Sequence, residues 1–320
     1  MRGDLSAICD VLRGKDRFLI ACHENPEGDA IGSELALALA LRKMGKTATV
    51  LNADPVPGNL LFLAGADTVV FEEDGAGYDV AIVVDCGSPD RTGRVEAELR
   101  KPPVLIDIDH HRTNGERGAL ALVDPEAAAT GLLIHKVLTA LGVEIDRGIA
   151  ENIYVAVLTD TGSFRYGNSS PDAFRVAGEM VRLGVDPWAV AEQVYETQSL
   201  PRIRLLGRVL SSLETAVEGK VASITAMRTD LEEFGAGKDS MEGFINYPRS
   251  IMGAEVAVSF REEEGGIFRV SFRSKGRVDV SEVAAQFGGG GHRNAAGCSV
   301  PGSLSEVKRK VIGALGAALK

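Results

Sequence analysis

Hydrophobic and polar positions alternate between two rhythms in residues 17 to 111. Short apolar runs, RFLIACH, TATVLN, VAIVVDC and VLIDIDHH, read as strands buried on both faces. Between the first two lies an Ala/Leu-rich stretch from Ala30 to Met44 with the length of a helix. This alternation predicts an α/β fold built on a parallel sheet. Three of the strands, ending near Cys22, Asp85 and Asp107, run straight into polar residues, and open α/β sheets bind ligands beyond the carboxyl ends of their strands. Helical patterns dominate from Glu126 to about Ser212, punctuated at Gly142, Pro171, Gly184, Pro187 and Pro201. From about Val217 the pattern changes to alternating strands, KVASITAM, EVAVSF and FRVSFRS, followed by a glycine-rich loop and a last helix around Ser305 to Leu319. The expected organisation is an α/β domain over 1–190, a helical linker over 191–215 and a smaller α+β domain over 216–320.

Composition narrows the function. A chain of 320 residues with 45% hydrophobic content can bury two cores. No apolar run approaches the roughly 18 residues of a membrane span, and the start MRGDLSAICDVLRGKDRF is charged where a signal peptide would be apolar. A cytoplasmic protein with no membrane partner is the expectation. Cys9, Cys22, Cys86 and Cys298 form no CxxC pair, which argues against a zinc ribbon or a disulfide framework and for reduced core thiols. The net charge of -10 comes from the first 190 residues, the remainder being nearly balanced. A long duplex held by counterion release needs a broad basic surface, whereas a short phosphorylated ligand needs only a few placed cations.

The candidate chemistry sits at the strand ends. In HENPEGDAIGS, residues 23 to 33, His23, Glu27 and Asp29 follow a buried strand just before a helix. Asp85 closes VAIVVD, the run Asp109, His110, His111 closes VLIDID, and Asp160 lies in AVLTDTGSF. Carboxylates and imidazoles from four segments are costly to bury together without a cation, and oxygen plus imidazole ligands without thiolate suit Mn, Fe or Zn better than Ca. The carboxylates suffice for two ions, which together can activate a water and stabilise both oxygens in phosphoryl transfer. Asp109 is placed to orient a histidine. In the second domain, Gly289, Gly290 and Gly291 leave backbone N–H groups open to an anion, and His292 and Arg293 follow at once.

Five motifs in order, HENPEGDA, VVDCG, DHH, LTDTG and GGGGHRNAAG, resemble the DHH phosphoesterases that carry a DHHA1 domain, over about residues 15 to 300. Within them the chain is similar to the NrnA-type oligoribonucleases and 3',5'-bisphosphonucleotide phosphatases. The resemblance implies two divalent ions, manganese foremost, one held by His23, Glu27 and Asp85 and the other by Asp29, Asp85, His110 and Asp160. It implies that His111 meets the substrate phosphate, that His292 binds substrate, and that Arg249 and Arg273 fall where the family tends to be basic. Its implied substrates are short RNA oligonucleotides and mononucleotide bisphosphates, with 3'-phosphoadenosine 5'-phosphate cut to AMP. A clamp in the second domain would anchor one end of a short chain while the scissile phosphate sits on the ions. A homodimer is left open. The departure is Glu27, where the family usually has Asp, so the first ion is held by a carboxylate one carbon further out.

Other readings compete. The same metal site could serve a cyclic- or linear-dinucleotide phosphodiesterase, and loss of turnover would leave a nucleotide-binding sensor. A manganese pyrophosphatase shares the first domain but brings a Lys/Arg-rich substrate motif in place of GGGGHRNAAG. A dinucleotide fold lacks its GxGxxG after a strand, and GAGKDS at 235 to 240 lacks the first glycine of a P-loop. His135, inside GLLIHKVLTAL, reads as structural, and Trp188 as a packing residue at a helix start.

Overall fold

A computed structural model describes residues 5–72, 75, 77–111 and 119–319, and side chains throughout these except those of Lys238, Asp239 and His292. The chain divides into two compact units, 1–197 and 198–320.

The first unit begins with α1 (Leu5–Gly14), β1 (Arg17–Ala21), α2 (Gly28–Lys43), β2 (Thr47–Leu51), β3 (Val69–Val70) and β4 (Val80–Val84). It continues with α3 (Glu96–Leu99), β5 (Val104–Asp109), β6 (Leu120–Val123), α4 (Thr130–Leu141), α5 (Arg147–Asp160), α6 (Pro171–Arg182) and α7 (Pro187–Tyr195). The strands form one sheet in the order β3-β2-β1-β4-β5-β6, with every pair parallel. All five residues of β4 are buried, because helices cover one face and α3 with its neighbouring turns covers the other. The chain winds outward from β1 to β3, then returns to β4 beside β1 and winds the other way. That reversal splays the connections after β1 and β4 apart and leaves a crevice at their carboxyl ends.

Helix α2 is buried along its whole first part, residues 28 to 38, which a one-sided amphipathic pattern would not allow. It lies against α5, running the opposite way, with Gly28 beside Thr159 and Gly32 beside Ala156. A Cβ on Gly32 would strike the Asn152 carbonyl, so this close crossing depends on glycine. The start of α2 and the end of α5 are thereby brought side by side.

The second unit holds α8 (Leu200–Leu210), β7 (Glu214–Ala216), β8 (Val221–Ala226), α9 (Arg228–Phe234), α10 (Asn246–Arg249), β9 (Val256–Glu263) and β10 (Ile267–Ser274). It ends with α11 (Val280–Ala285), β11 (Gly290–His292), β12 (Ala295–Pro301) and α12 (Leu304–Ala318). Its sheet runs β11-β12-β10-β9-β8-β7 and is antiparallel except for β8 beside β9. Phe260, Phe268 and Phe272 pack against Val307, Val311 and Leu315, spaced four apart on α12. The units divide between Thr197 and Gln198: Val190 and Val194 of α7 pack in the first core, while Leu205 and Val209 of α8 pack with Ile224 and Phe244.

The stretch expected as a glycine-rich loop is in fact the edge strand β11, paired with β12 from Gly290 opposite Gly297 to His292 opposite Ala295. Gly291 has φ +142°, and a Cβ there would strike the Ala295 carbonyl, so these glycines serve strand pairing as well as exposing backbone. Among the described residues no helix is long and apolar enough to cross a membrane. All four cysteines are buried free thiols.

Candidate active site

Three histidines stand at the strand ends with their tautomers set by hydrogen bonds. His23 follows β1 in a loop tethered from both sides, the Glu24 N–H donating to the Arg91 carbonyl (2.8 Å) and the Asn25 N–H to Asp54 Oδ2 (2.8 Å). Its Nδ1 lies 2.7 Å from the Glu24 carbonyl, which can only accept, so Nδ1 carries the proton. Nε2 then faces Glu27 Oε1 at 3.1 Å and Asp85 Oδ2 at 3.9 Å. His110 repeats the arrangement, with Nδ1 3.1 Å from the Ala127 carbonyl. Its Nε2 looks at Asp85 (3.4 Å), Asp29 (3.7 Å) and Asp160 (3.8 Å). His111 is turned the other way: Nδ1 is 2.7 Å from Asp109 Oδ1, which also accepts the His111 backbone N–H at 3.0 Å. The two rings meet edge to face, centroids 4.8 Å apart.

Each carboxylate has its own support. Asp29, in the first turn of α2, accepts the Thr130 N–H (2.7 Å), the Gly131 N–H (2.9 Å) and the Ser33 hydroxyl (3.1 Å). The two backbone donors are the exposed first amides of α4, where a helix dipole favours an anion. Asp85 follows β4 directly with φ +54°, a left-handed turn that brings its side chain to where Thr130 Oγ1 donates to Oδ1 at 2.9 Å. Asp160, last residue of α5, receives the Asn168 amide on Oδ2 (3.2 Å) and on its own carbonyl (3.1 Å). The sequence reading overlooked Thr130, Gly131, Ser33 and Asn168. Asn168 lies eight residues past Asp160, beyond the LTDTG motif, and the position of Thr130 as the first residue of a helix is the signal that could have exposed it.

Donor atoms from three sets of residues lie within 4.8 Å of one another: His23, Glu27 and Asp85; Asp29, His110 and Asp160; and Asp85, His110 and His111. Asp85 joins the first set to the third, and His110 joins the third to the second. Among the described residues no Lys or Arg pairs with Glu27, Asp29, Asp85 or Asp160. Burial, and then the charge of Asp85, push the Asp29 carboxyl well above the usual range; burial, and then Glu27, raise Asp85; burial carries Asp160 up to about 6. Burial lowers His110, but Asp29, Asp85 and Asp160 outweigh it and hold the imidazole up to about 9. Burial likewise lowers His23, and the Glu27 hydrogen bond outweighs it, giving about 9. Dense acceptor charge that must borrow protons is what a divalent cation replaces, so this donor set fits metal ions. At Asp109 burial raises the carboxyl, but the His111 hydrogen bond prevails and holds it at about 2, so it stays ionised.

In the second unit Arg273 and Arg249 are half-buried, Arg273 donating to the Phe272 carbonyl at 3.0 Å. Exposed Arg293 reaches the Gly276 carbonyl (3.3 Å) and Asp279 (3.8 Å). The side chain of His292 lies outside the described set. Trp188 corrects an expectation: it does open α7, but at 66% exposed it does not pack, since the apolar residues that α7 turns to the core are Val190 and Val194. His135 is buried with Nε2 3.3 Å from Glu179.

Residues 17–157 match the DHH family, N-terminal domain, and residues 218–320 match the DHHA1 domain. The chain belongs to the DHH phosphoesterase family, in the form that ends in a DHHA1 domain, and is a hydrolase acting on ester bonds. It is 38% identical over 316 residues to the bifunctional oligoribonuclease and PAP phosphatase NrnA of Thermus thermophilus, covering 96% of this chain and 92% of that one. The Bacillus subtilis protein of the same name is 28% identical over 89% of this chain and 90% of its own. A crystal structure of an exopolyphosphatase-related protein from Bacteroides fragilis superposes with a TM-score of 0.93 at 27% identity, over 98% of this chain and 97% of that one.

Proposed function

We propose that the chain is a manganese-dependent phosphoesterase that hydrolyses short oligoribonucleotides and converts 3'-phosphoadenosine 5'-phosphate to AMP. The observation that carries this reading is the series of donor sets linked through Asp85 and His110, in a protein 38% identical to an enzyme named for both activities. His23, Glu27 and Asp85 would hold one ion, and Asp29, Asp85, His110 and Asp160 the other. Such ions supply Lewis acidity toward the attacking water and the phosphate oxygens.

The protein's own groups do the rest. Asp109, held ionised, grips Nδ1–H of His111 and fixes the ring, so Nε2 is the nitrogen that meets the phosphate and returns a proton to the leaving oxygen. Thr130 and the α4 amides hold Asp85 and Asp29 in one orientation, which spares reorganisation during reaction. The second domain, with Gly289, Gly290, Gly291, His292, Arg293, Arg249 and Arg273, supplies the substrate anchor. Glu27 reaches His23 with its longer side chain, so its carboxylate stays within the cluster despite the extra methylene.

The purified protein is incubated with Mn²⁺ and RNA of two to five nucleotides, 3'-phosphoadenosine 5'-phosphate, cyclic di-AMP or pyrophosphate. The reading expects cleavage of the first two; cleavage of the cyclic dinucleotide alone would favour the dinucleotide phosphodiesterase, and cleavage of none would leave only a binding protein.

A further inference from the structure

One buried acid lies outside the metal cluster. Glu34, on α2, is 0% exposed, and no cationic side chain stands within salt-bridge distance among the described residues. Its Oε1 accepts the Asn52 amide at 2.7 Å. Oε2 receives no N–H or O–H bond among the described residues, and the Cys22 thiol is the carboxyl's other hydrogen-bond neighbour. Asn52, 1% exposed just past β2, places its Oδ1 3.6 Å from Cys22 Sγ. Cys22 Sγ is itself 3.6 Å from the His23 carbonyl. Three polar groups from α2, β1 and β2 therefore meet directly behind the point where the chain leaves the sheet for the ligand loop.

An apolar side chain would fill this position on α2 at lower cost, as Leu35 and Leu37 do beside it. A polar network retained in a core gives uniqueness of arrangement rather than stability. Here the thing held in place is the Cys22–His23 peptide. Burial pushes the Glu34 carboxyl up to about 8, so near neutral pH it is largely uncharged, in keeping with the lack of a cationic partner among the described residues.

We propose that Glu34 is a positioning residue for the His23 arm of the metal centre: it pins Asn52, Asn52 pins the Cys22 thiol, and the height at which His23 leaves β1 is thereby set. This rests on the metal reading given above. The loop on the far side of His23 is already braced by Arg91 and Asp54 through Glu24 and Asn25, so the network completes the support from beneath.

The test is a Mn²⁺ titration of the full chain by calorimetry, with thermal unfolding of each metal-free variant measured alongside. Glu34→Leu is expected to unfold no earlier than the wild type yet bind Mn²⁺ about 10- to 100-fold more weakly, the usual size for loss of a group behind a ligand. Its turnover should return at saturating Mn²⁺, which a general loss of structure would not permit. Glu34→Gln keeps the bond to Asn52 and is expected to stay within about threefold of wild-type affinity. Asn52→Ala cuts the network at its middle and should show the same loss, which keeps the test decisive if Glu34→Leu does not fold. Wild-type affinity in a folded Glu34→Leu or Asn52→Ala protein would overturn the positioning role while leaving the metal centre intact. Absence of Mn²⁺ binding by the wild type would overturn the metal reading itself.

Discussion

His110 and His111 are neighbours in the chain with opposite ring orientations, and the proposed function divides their work along that difference. His110 turns its Nε2 toward three carboxylates, while His111 gives its Nδ1 to Asp109. His111→Ala is expected to lower kcat by about 10²- to 10⁴-fold, the range for loss of a general acid, with manganese content unchanged. His110→Ala should instead weaken manganese binding. Metal analysis of both variants checks the division, and metal loss in His111→Ala would exchange the two roles. Glu27 is the residue at which the usual family pattern is broken, yet it stands 3.1 Å from His23 Nε2. That the DHH run gathers with other imidazoles and carboxylates was legible from the sequence, because such groups at strand ends are costly to bury without a cation. Which histidine Asp109 grips was not, since either lies within reach along the chain and only the backbone path of residues 109 to 111 selects His111.

The helices set these side chains at angles that no single strand end could provide. The start of α4 delivers two backbone amides to Asp29 and a hydroxyl to Asp85, so one helix end holds both carboxylates and the threonine side chain acts on Asp85 alone. Thr130→Val keeps shape and backbone but removes the hydroxyl, and calorimetric titration should show manganese affinity lower by about 10-fold or more with the fold intact. At the α2–α5 crossing, Gly32→Ala forces a methyl against the Asn152 carbonyl; a loss of roughly 1–3 kcal/mol in denaturant unfolding is expected, as for other overpacked cores. The long strands β1, β4 and β5 and the helix α2 could be read from continuous apolar runs. The strands at one end of the second sheet could not: β11 is made of glycines and histidine, and β12 reads AAGCSVP, so neither has the β-branched pattern, and only the pairing of β12 with β10 and of β11 with β12 reveals them. Thr130 escaped notice for a related reason, its role arising from contact with residues 101 and 45 positions away in sequence.

At the scale of the whole molecule, the proposed function sets protons and metal in competition for one buried cluster. Without metal, His23 and His110 hold their protons up to about pH 9, against about 6.5 for a free imidazole. A raised histidine contributes stability that is fully present below about pH 6.5 and fades as pH climbs through about 9. Manganese bound as proposed would displace those protons, so its affinity should rise over the same window. Thermal unfolding with and without Mn²⁺ from about pH 6.5 to 9 is expected to show a metal-induced rise in Tm that grows with pH; a rise that shrinks would contradict the assignment. The two-domain architecture was legible because the hydrophobic period changes near Val217, but the boundary was not. Helices α7 and α8 look alike in sequence, and only their buried residues assign α7 to one core and α8 to the other.

The most direct measurement is phosphate release from 3'-phosphoadenosine 5'-phosphate by the wild type and by Asp85→Asn, titrated with Mn²⁺ from a metal-free start. A two-ion centre joined at Asp85 predicts no release in chelator, a cooperative rise that saturates with added Mn²⁺, and release in Asp85→Asn lower by at least about 10²-fold. Release that persists without metal, or an Asp85→Asn protein as active as the wild type, would contradict it.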